Sequence, residues 1–233
     1  MLKVENISTG YDKKQVLYDV SFEVCKGEIV LFVGSNGSGK STLLKAIYGM
    51  LPQWSHGQII YDGMNITGKP TSELLKKGLL YIPQRNKLFE DLTVKENLEM
   101  AGLTIDKRLF MRRMEITLSI FSTIVPYLAK TPMKLSGGER QLLTLAMATL
   151  HQPKMILYDE PFVGLSPQNV SFVAENLKAL NEKKGITLLI VEHRVKECAR
   201  FANKIIGLKL GKVFSKLEVN ATFDIKELNS VFV

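Results

Sequence analysis

Three features of the sequence predict an α/β fold with a largely parallel sheet. Short apolar, β-branched runs recur: "EIVLFVG" from Glu28, "GQIIYDG" from Gly57, "LLYIP" from Leu79, "MILYDE" from Met155, "TLLIVEH" from Thr187 and "KIIGLKLGKVF" from Lys204. Several are almost uninterrupted hydrophobic runs, as expected of strands covered on both faces. Helical stretches separate them, and alternating strand and helix is the pattern of a parallel α/β sheet. From about 86 to 151 the strand signal disappears and helical patterns dominate. We therefore expect one domain over 1–233, with a core of about 1–85 and 152–215 interrupted by a helical subdomain.

Individual helices can be read from their ends. Ser166 is a suitable N-cap and Pro167 a suitable first helical residue. Val170, Val173, Ala174, Leu177 and Leu180 recur at helical spacing, so this helix faces a core. Lys183 and Lys184 suit its negative end, and Gly185 can stop it. Thr93 with Glu96, and Ser136 with Glu139, have capping-box spacing. The second box contains Gly137 and Gly138, which weaken a first helical turn and so suggest a close approach to something.

Composition narrows the functional classes. Of 233 residues 45% are hydrophobic, enough for a sizeable core. Lys plus Arg number 31 against 23 acids, a net charge of +8. That charge suits nucleic acid, an anionic membrane surface or a nucleotide, and equally a solvated surface, because the basic residues are spread along the chain. Cys25 and Cys198 match no metal or redox spacing and read as reduced thiols. His56, His151 and His193 are scattered and suggest no zinc site. No secretory signal opens the sequence. The longest charge-free apolar stretch, Ile116 to Ala129, has 14 residues and contains Pro126. That falls short of the roughly 18–20 a membrane span needs, so a packed helix is expected.

"GSNGSGKST", Gly34 to Thr42, follows a strand and precedes a helix, and fits G-x-x-x-x-G-K-[ST]. The small residues Gly34, Ser35, Asn36, Gly37, Ser38 and Gly39 let backbone N–H groups turn inward around phosphates. The helix starting near Lys40 adds its positive end. Lys40 is expected on the β- and γ-phosphates and Ser41 on Mg²⁺, with Thr42 beside them. "MILYDEP" places Asp159 and Glu160 at the C-terminal end of an apolar strand, where ligands sit in open α/β sheets. Asp159 suits the metal side, and Glu160 suits the general base that deprotonates a water. Asn86-Lys87-Leu88-Phe89 resembles the guanine-reading N-K-x-D, but Phe89 cannot accept hydrogen bonds from guanine.

The phosphate loop, "LSGGERQ" and "MILYDEP", in this order, resemble the ATP-binding-cassette (ABC) ATPases over nearly the whole chain. "LSGGE" between the two Walker motifs is far more specific than the phosphate loop. The resemblance implies a P-loop NTPase (RecA-like) core with a mainly parallel sheet, an N-terminal antiparallel β-subdomain and an inserted α-helical subdomain. It implies that Tyr11 stacks on adenine and that Gln84, in "YIPQ", is the Q-loop residue touching Mg²⁺ or the water. His193 then contacts the γ-phosphate as the switch histidine. Ser136, Gly137 and Gly138 face the ATP held by a second subunit. Ser166 stands where the family usually has the D-loop aspartate and carries no charge.

Within the family, "YIPQRNKLFEDLTVKENLEMAG" is most similar to ATPases of branched-chain amino-acid uptake, with urea-uptake and lipopolysaccharide-export ATPases as alternatives. The ending "ELNSVFV" lacks the Tyr-Leu-Gly-like finish common in the uptake groups. The resemblance implies ATP and Mg²⁺ as cofactors, a peripheral place on the cytoplasmic face of the membrane, transmembrane permease subunits as partners, and a second cassette. Nucleic acid is not expected: DNA- and ribosome-associated relatives carry long coiled-coil insertions or two cassettes, which 233 residues do not hold. The 116–129 stretch is either a docking surface for the membrane subunit or internal core. The cargo, and the choice between homodimer and heterodimer, stay open.

Overall fold

The apolar runs sort into two sheets. The computed structural model describes residues 1–54, 56–85, 87–193 and 198–219; the ending 227–233 and Asn86 lie outside them. The chain begins with β1 (Leu2–Tyr11), β2 (Lys14–Val24), β3 (Ile29–Val33) and α1 (Lys40–Ile47). β4 (Gln58–Tyr61), β5 (Met64–Asn65), α2 (Thr71–Lys76) and β6 (Leu79–Ile82) follow. The helical stretch holds α3 (Val94–Ala101), α4 (Lys107–Ile120) and α5 (Gly137–Thr149). The chain then returns through β7 (Met155–Asp159), α6 (Pro167–Lys184), β8 (Thr187–Glu192), β9 (Lys204–Lys209) and β10 (Lys212–Glu218).

The larger sheet has six strands in the order β10-β9-β3-β8-β7-β6. β9, β3, β8, β7 and β6 are parallel, and β10 closes the edge antiparallel to β9. β3, β7 and β8 are buried at every residue. Their side chains alternate between two cores, as the two-residue period of a strand requires. Ile29, Leu31 and Val33 pack with α5, α6 and the helical insertion, while Val30 and Phe32 pack with α1 and the smaller sheet. That smaller sheet, β2-β1-β4-β5, is antiparallel. "GQIIYDG" therefore belongs to a different sheet from the other runs, paired with β1 rather than with β3.

Strand register sets the site. Val33 pairs with Glu192, Asp159 with Val191 and Ile82 with Tyr158. The C-terminal ends of β3, β8, β7 and β6 thus finish side by side, and the loops that leave them carry the predicted residues.

The expected helix ends are present. Thr93 and Ser136 each form a full capping box, with Glu96 and Glu139. Ser166 caps α6, with Pro167 in its first turn and left-handed Gly185 at its end. The Ile116–Ala129 stretch differs from the single helix expected: α4 stops at Ile120, Phe121 turns the chain, and a 3₁₀ helix covers Ser122–Tyr127. Burial explains the break. Phe121 and Ile124 enter the main core, and Pro126 cannot continue an α-helical hydrogen-bond ladder. Ile116 and Val125 stay exposed.

Candidate nucleotide site

The loop after β3 wraps a cavity of about 460 Å³. Asn36, Gly37, Gly39, Lys40, Ser41 and Thr42 line it with Gln84, Glu160 and Val16. Gly39 has φ 103°, a left-handed conformation that residues with a Cβ avoid, and it starts α1 without a side-chain cap. The first N–H groups of α1 therefore remain for a ligand. The Ser38 hydroxyl is buried and has no hydrogen-bond partner. The Lys40 ammonium is buried and donates to the carbonyl oxygens of Gly34, at 2.8 Å, and Ser35, at 3.0 Å. Burial holds its pKa below the usual lysine value, against the pull of Glu160, Glu192 and Asp159.

Two pairs join the separate strand ends. Ser41 Oγ donates to Asp159 Oδ1 at 2.9 Å, tying the start of α1 to the end of β7. Gln84 Nε2 donates to Glu160 Oε2 at 2.6 Å, tying the loop after β6 to the residue after β7. Glu160 has φ 45°, which costs a residue with a Cβ roughly 1–2 kcal/mol, and its N–H is held by the Val191 carbonyl at 3.0 Å. Burial raises the pKa of its carboxyl, and Glu192 and Asp159 add to the rise while Lys40 and His193 oppose it.

Other predicted residues sit beside the cavity or away from it. His193 follows β8 with its side chain 40% exposed. Tyr11 is exposed at the end of β1 and does not line the cavity; the Lys45 ammonium lies 5.8 Å from its ring centre. Ser136, Gly137 and Gly138 are also outside. A Cβ on Gly137 would come within 2.7 Å of Leu165 Cδ2, and one on Gly138 within 3.0 Å of Asn169 Oδ1. The two glycines thus have a local role that the sequence did not disclose: they let α5 start against the loop and helix that follow Glu160. The Ser166 hydroxyl accepts from Asn169 N at 3.4 Å, so it serves its own helix.

Two contributors were missed. Tyr81 OH donates to Asp159 Oδ2 at 3.1 Å and completes that carboxylate's contacts. Glu192 is fully buried; its two oxygens accept from Phe162 N at 2.9 Å and His193 N at 3.0 Å. It shapes the segment after Glu160 and the start of the His193 loop. An acidic residue closing an apolar strand was its available sequence signal. Glu192→Gln turns an amide N–H toward one of these N–H donors. We expect a stability loss of about 1–3 kcal/mol in denaturant unfolding, the cost of one unsatisfied buried donor.

Known proteins share both sequence and shape with this chain. A family model described as "ABC transporter" matches residues 17–163. The high-affinity branched-chain amino acid transport ATP-binding protein BraG of Pseudomonas aeruginosa is 37% identical over 91% of this chain and 91% of its own length. The lipopolysaccharide export system ATP-binding protein LptB of Haemophilus influenzae is 34% identical over 92% of this chain and 89% of its own. Among solved structures, the ADP conformation of an ATP-binding cassette of an ABC transporter superposes with a TM-score of 0.86 at 27% identity, covering 94% of this chain and 91% of that one. A dimeric bacterial ABC transporter cassette superposes with a TM-score of 0.79 at 28% identity, covering 95% of this chain and 100% of that one. With a nucleotide loop, an acidic strand end and a capped "LSGGE" helix in one fold, the chain belongs to the ABC transporter family and is one of its ATP-hydrolysing cassettes.

Proposed function

We propose that the chain drives a membrane importer of branched-chain or other hydrophobic amino acids. In this reading it sits on the cytoplasmic face as one of two cassettes beneath a separate membrane-spanning subunit. The carrying observation is the meeting of Ser41 with Asp159 and of Gln84 with Glu160 at one cavity. The import assignment is supported by the names of BraG and of LivF of Archaeoglobus fulgidus, a probable branched-chain amino acid transport ATP-binding protein at 35% identity. Among the described residues no helix is long and apolar enough to cross a membrane.

The residues fit a magnesium nucleotide. The unpaired Ser38 hydroxyl and the uncapped start of α1 suit phosphate oxygens. Ser41 and Asp159 bring two hard oxygen donors together, the donor class Mg²⁺ takes. Bound there, Mg²⁺ would neutralise charge developing on the phosphates. Lys40 exchanges its loop carbonyls for phosphate oxygens, Glu160 accepts the proton of the attacking water, and Gln84 holds that carboxylate in place. His193 approaches the γ-phosphate, and Tyr11 offers an aromatic face to the base. Ser136, Gly137 and Gly138 address the ATP of the second cassette.

The membrane subunit docks, on this proposal, in the groove of about 300 Å³ beside Gln84, between the end of β6 and helices α3 and α5. Pro83, Lys87, Ala101, Met147 and His151 line it. Its continuity with the Gln84 loop supports this choice, and the entry of Phe121 and Ile124 into the core leaves the 116–129 stretch less surface to offer. Purification from membranes tests the function. We expect a permease to co-isolate, and ATP turnover of the reconstituted assembly to rise with leucine and its binding protein. Stimulation by lipopolysaccharide instead would replace the import reading. Recovery of ribosomes or DNA without a membrane subunit would end the transport reading.

A further inference from the structure

Beside the Gln84–Glu160 pair lies a polar cluster of Tyr158 from "MILYDEP", Gln141 from "LSGGERQ" and Lys87, to which the motif reading gives no role. Tyr158 is fully buried in β7, next to Asp159, and its hydroxyl donates to Gln141 Oε1 at 2.6 Å. Lys87, three residues after Gln84, donates its ammonium to the same oxygen at 3.1 Å and lies 4.9 Å from the Tyr158 ring centre. Gln141 is on α5, five residues beyond Ser136. One small cluster thus joins the Gln84 loop, the "LSGGE" helix and the strand that presents Asp159 and Glu160.

A half-buried lysine whose ammonium is held by a neutral amide and an aromatic face is an expensive way to fill space, since withdrawing a charge from water is costly without full pairing. A methionine would fill it with less penalty. What the ammonium adds is a directed, charge-assisted link whose partners sit on three elements. We propose that Lys87 is a positioning residue for hydrolysis, transmitting displacement of α5 to the Gln84–Glu160 hydrogen bond. The proposal rests on the reading of Glu160 as the base. Movement of α5 toward or away from a neighbouring ATP pulls Gln141, Gln141 pulls Lys87, and Lys87 carries the loop that bears Gln84.

The link is sensitive to protonation. Burial lowers the Lys87 pKa to about 8, against the attraction of Asp159 from β7 and Glu192 from β8. The other groups facing the cluster keep their charge above neutral pH. Burial raises the phenol pKa of Tyr158 and Tyr81 beyond the alkaline range. Burial lowers the His151 pKa, keeping that imidazole neutral there. Loss of the Lys87 proton removes the cation–π contact and weakens the hydrogen bond. The folded pKa lies below the unfolded value, so the unfolded chain holds more protons between about 8 and 10.5. This group's contribution to stability therefore rises with pH across that window. A fall in turnover there is not unfolding at this site.

Steady-state ATPase assays of the full chain across this range test the proposal. For the wild type, kcat should fall above about pH 8 and level off near a tenth of its neutral-pH value, with the KM for ATP unchanged. Lys87→Met should melt no lower than the wild type, lose about tenfold in kcat at neutral pH, and lack the alkaline limb. Lys87→Arg, permanently charged, should recover most of the neutral-pH rate and also lack the limb. A purely structural lysine would not separate these variants in that way. Gln141→Glu should move the limb to higher pH by pairing the ammonium with a carboxylate. Wild-type kcat and an unchanged alkaline limb in Lys87→Met would overturn the proposal. Glu160→Gln run in parallel separates the two readings. If it is inactive while Lys87→Met is unaltered, the relay fails and the base stands. If Glu160→Gln turns over normally, the base assignment fails first.

Discussion

Glu160→Gln is expected to lower ATP turnover by roughly 10²–10⁴-fold, the range typical of removing a positioned general base, while ATP affinity stays within a few-fold. The substitution is nearly isosteric, and the new amide oxygen can still accept from Gln84 Nε2, which now bonds Glu160 Oε2 at 2.6 Å. The phosphate loop and Lys40 are untouched, so binding persists. What disappears is a carboxylate whose pKa burial has raised, with Glu192 and Asp159 adding to the rise. A raised pKa strengthens the base and narrows its working range. Only the deprotonated form accepts a proton, so wild-type turnover should decline as pH falls through a value above the ordinary glutamate range, about 4.3. The variant should lack that acid limb. On the proposed two-cassette reading, ATP binding without hydrolysis also removes the step that reopens the pair, so the variant should elute as a dimer with ATP and as a monomer with ADP. Wild-type rates in Glu160→Gln would remove Glu160 from the role of base.

The parts of this molecule legible in the sequence are those decided locally. Capping boxes at Thr93 and Ser136, the proline start of α6 and the fully apolar strands each follow from a few adjacent residues. The phosphate loop and the acidic pair were legible because their chemistry lies in consecutive positions. What stayed hidden depends on partners distant in sequence. "KIIGLKLGKVF" is two strands, because Leu210 and Gly211 turn the chain back with φ 49° and 75°. "GQIIYDG" looks like any other strand, and only its pairing with β1 assigns it to the second sheet. Tyr81, Glu192 and Tyr158 read as ordinary strand residues; their polar atoms acquire meaning from Asp159, the His193 loop and Gln141. Lys87 carries no local signal, because its partners Gln141 and Tyr158 lie far along the chain. The two glycines of "LSGGE" pointed correctly to a close approach, but the first neighbours they meet are Leu165 and Asn169 of the same chain.

That local packing makes Gly137→Asp a sharper test of the second face of the helix. A carboxylate in the first turn of an isolated helix is normally stabilising, by about 0.3–1 kcal/mol. The added Cβ would meet the tip of the Leu165 side chain at 2.7 Å, a contact a flexible side chain can relieve. The folded monomer should therefore survive, with thermal stability close to wild type and with nucleotide bound normally in its own phosphate loop. If the first N–H groups of α5 instead serve the γ-phosphate of a neighbouring cassette, the same carboxylate repels that phosphate across the interface. Hydrogen bonds to a charged group contribute about 1.5–3 kcal/mol each, so losing two weakens closure by roughly 10²–10⁴-fold. Turnover and ATP-dependent dimerisation should fall together by that order. Gly137→Ala adds the Cβ without the charge and should stay within a few-fold of wild type. The pair separates charge from bulk: equal damage in both variants would assign Gly137 to packing against Leu165. An active, dimer-forming Gly137→Asp would mean that this helix end faces no phosphate at all.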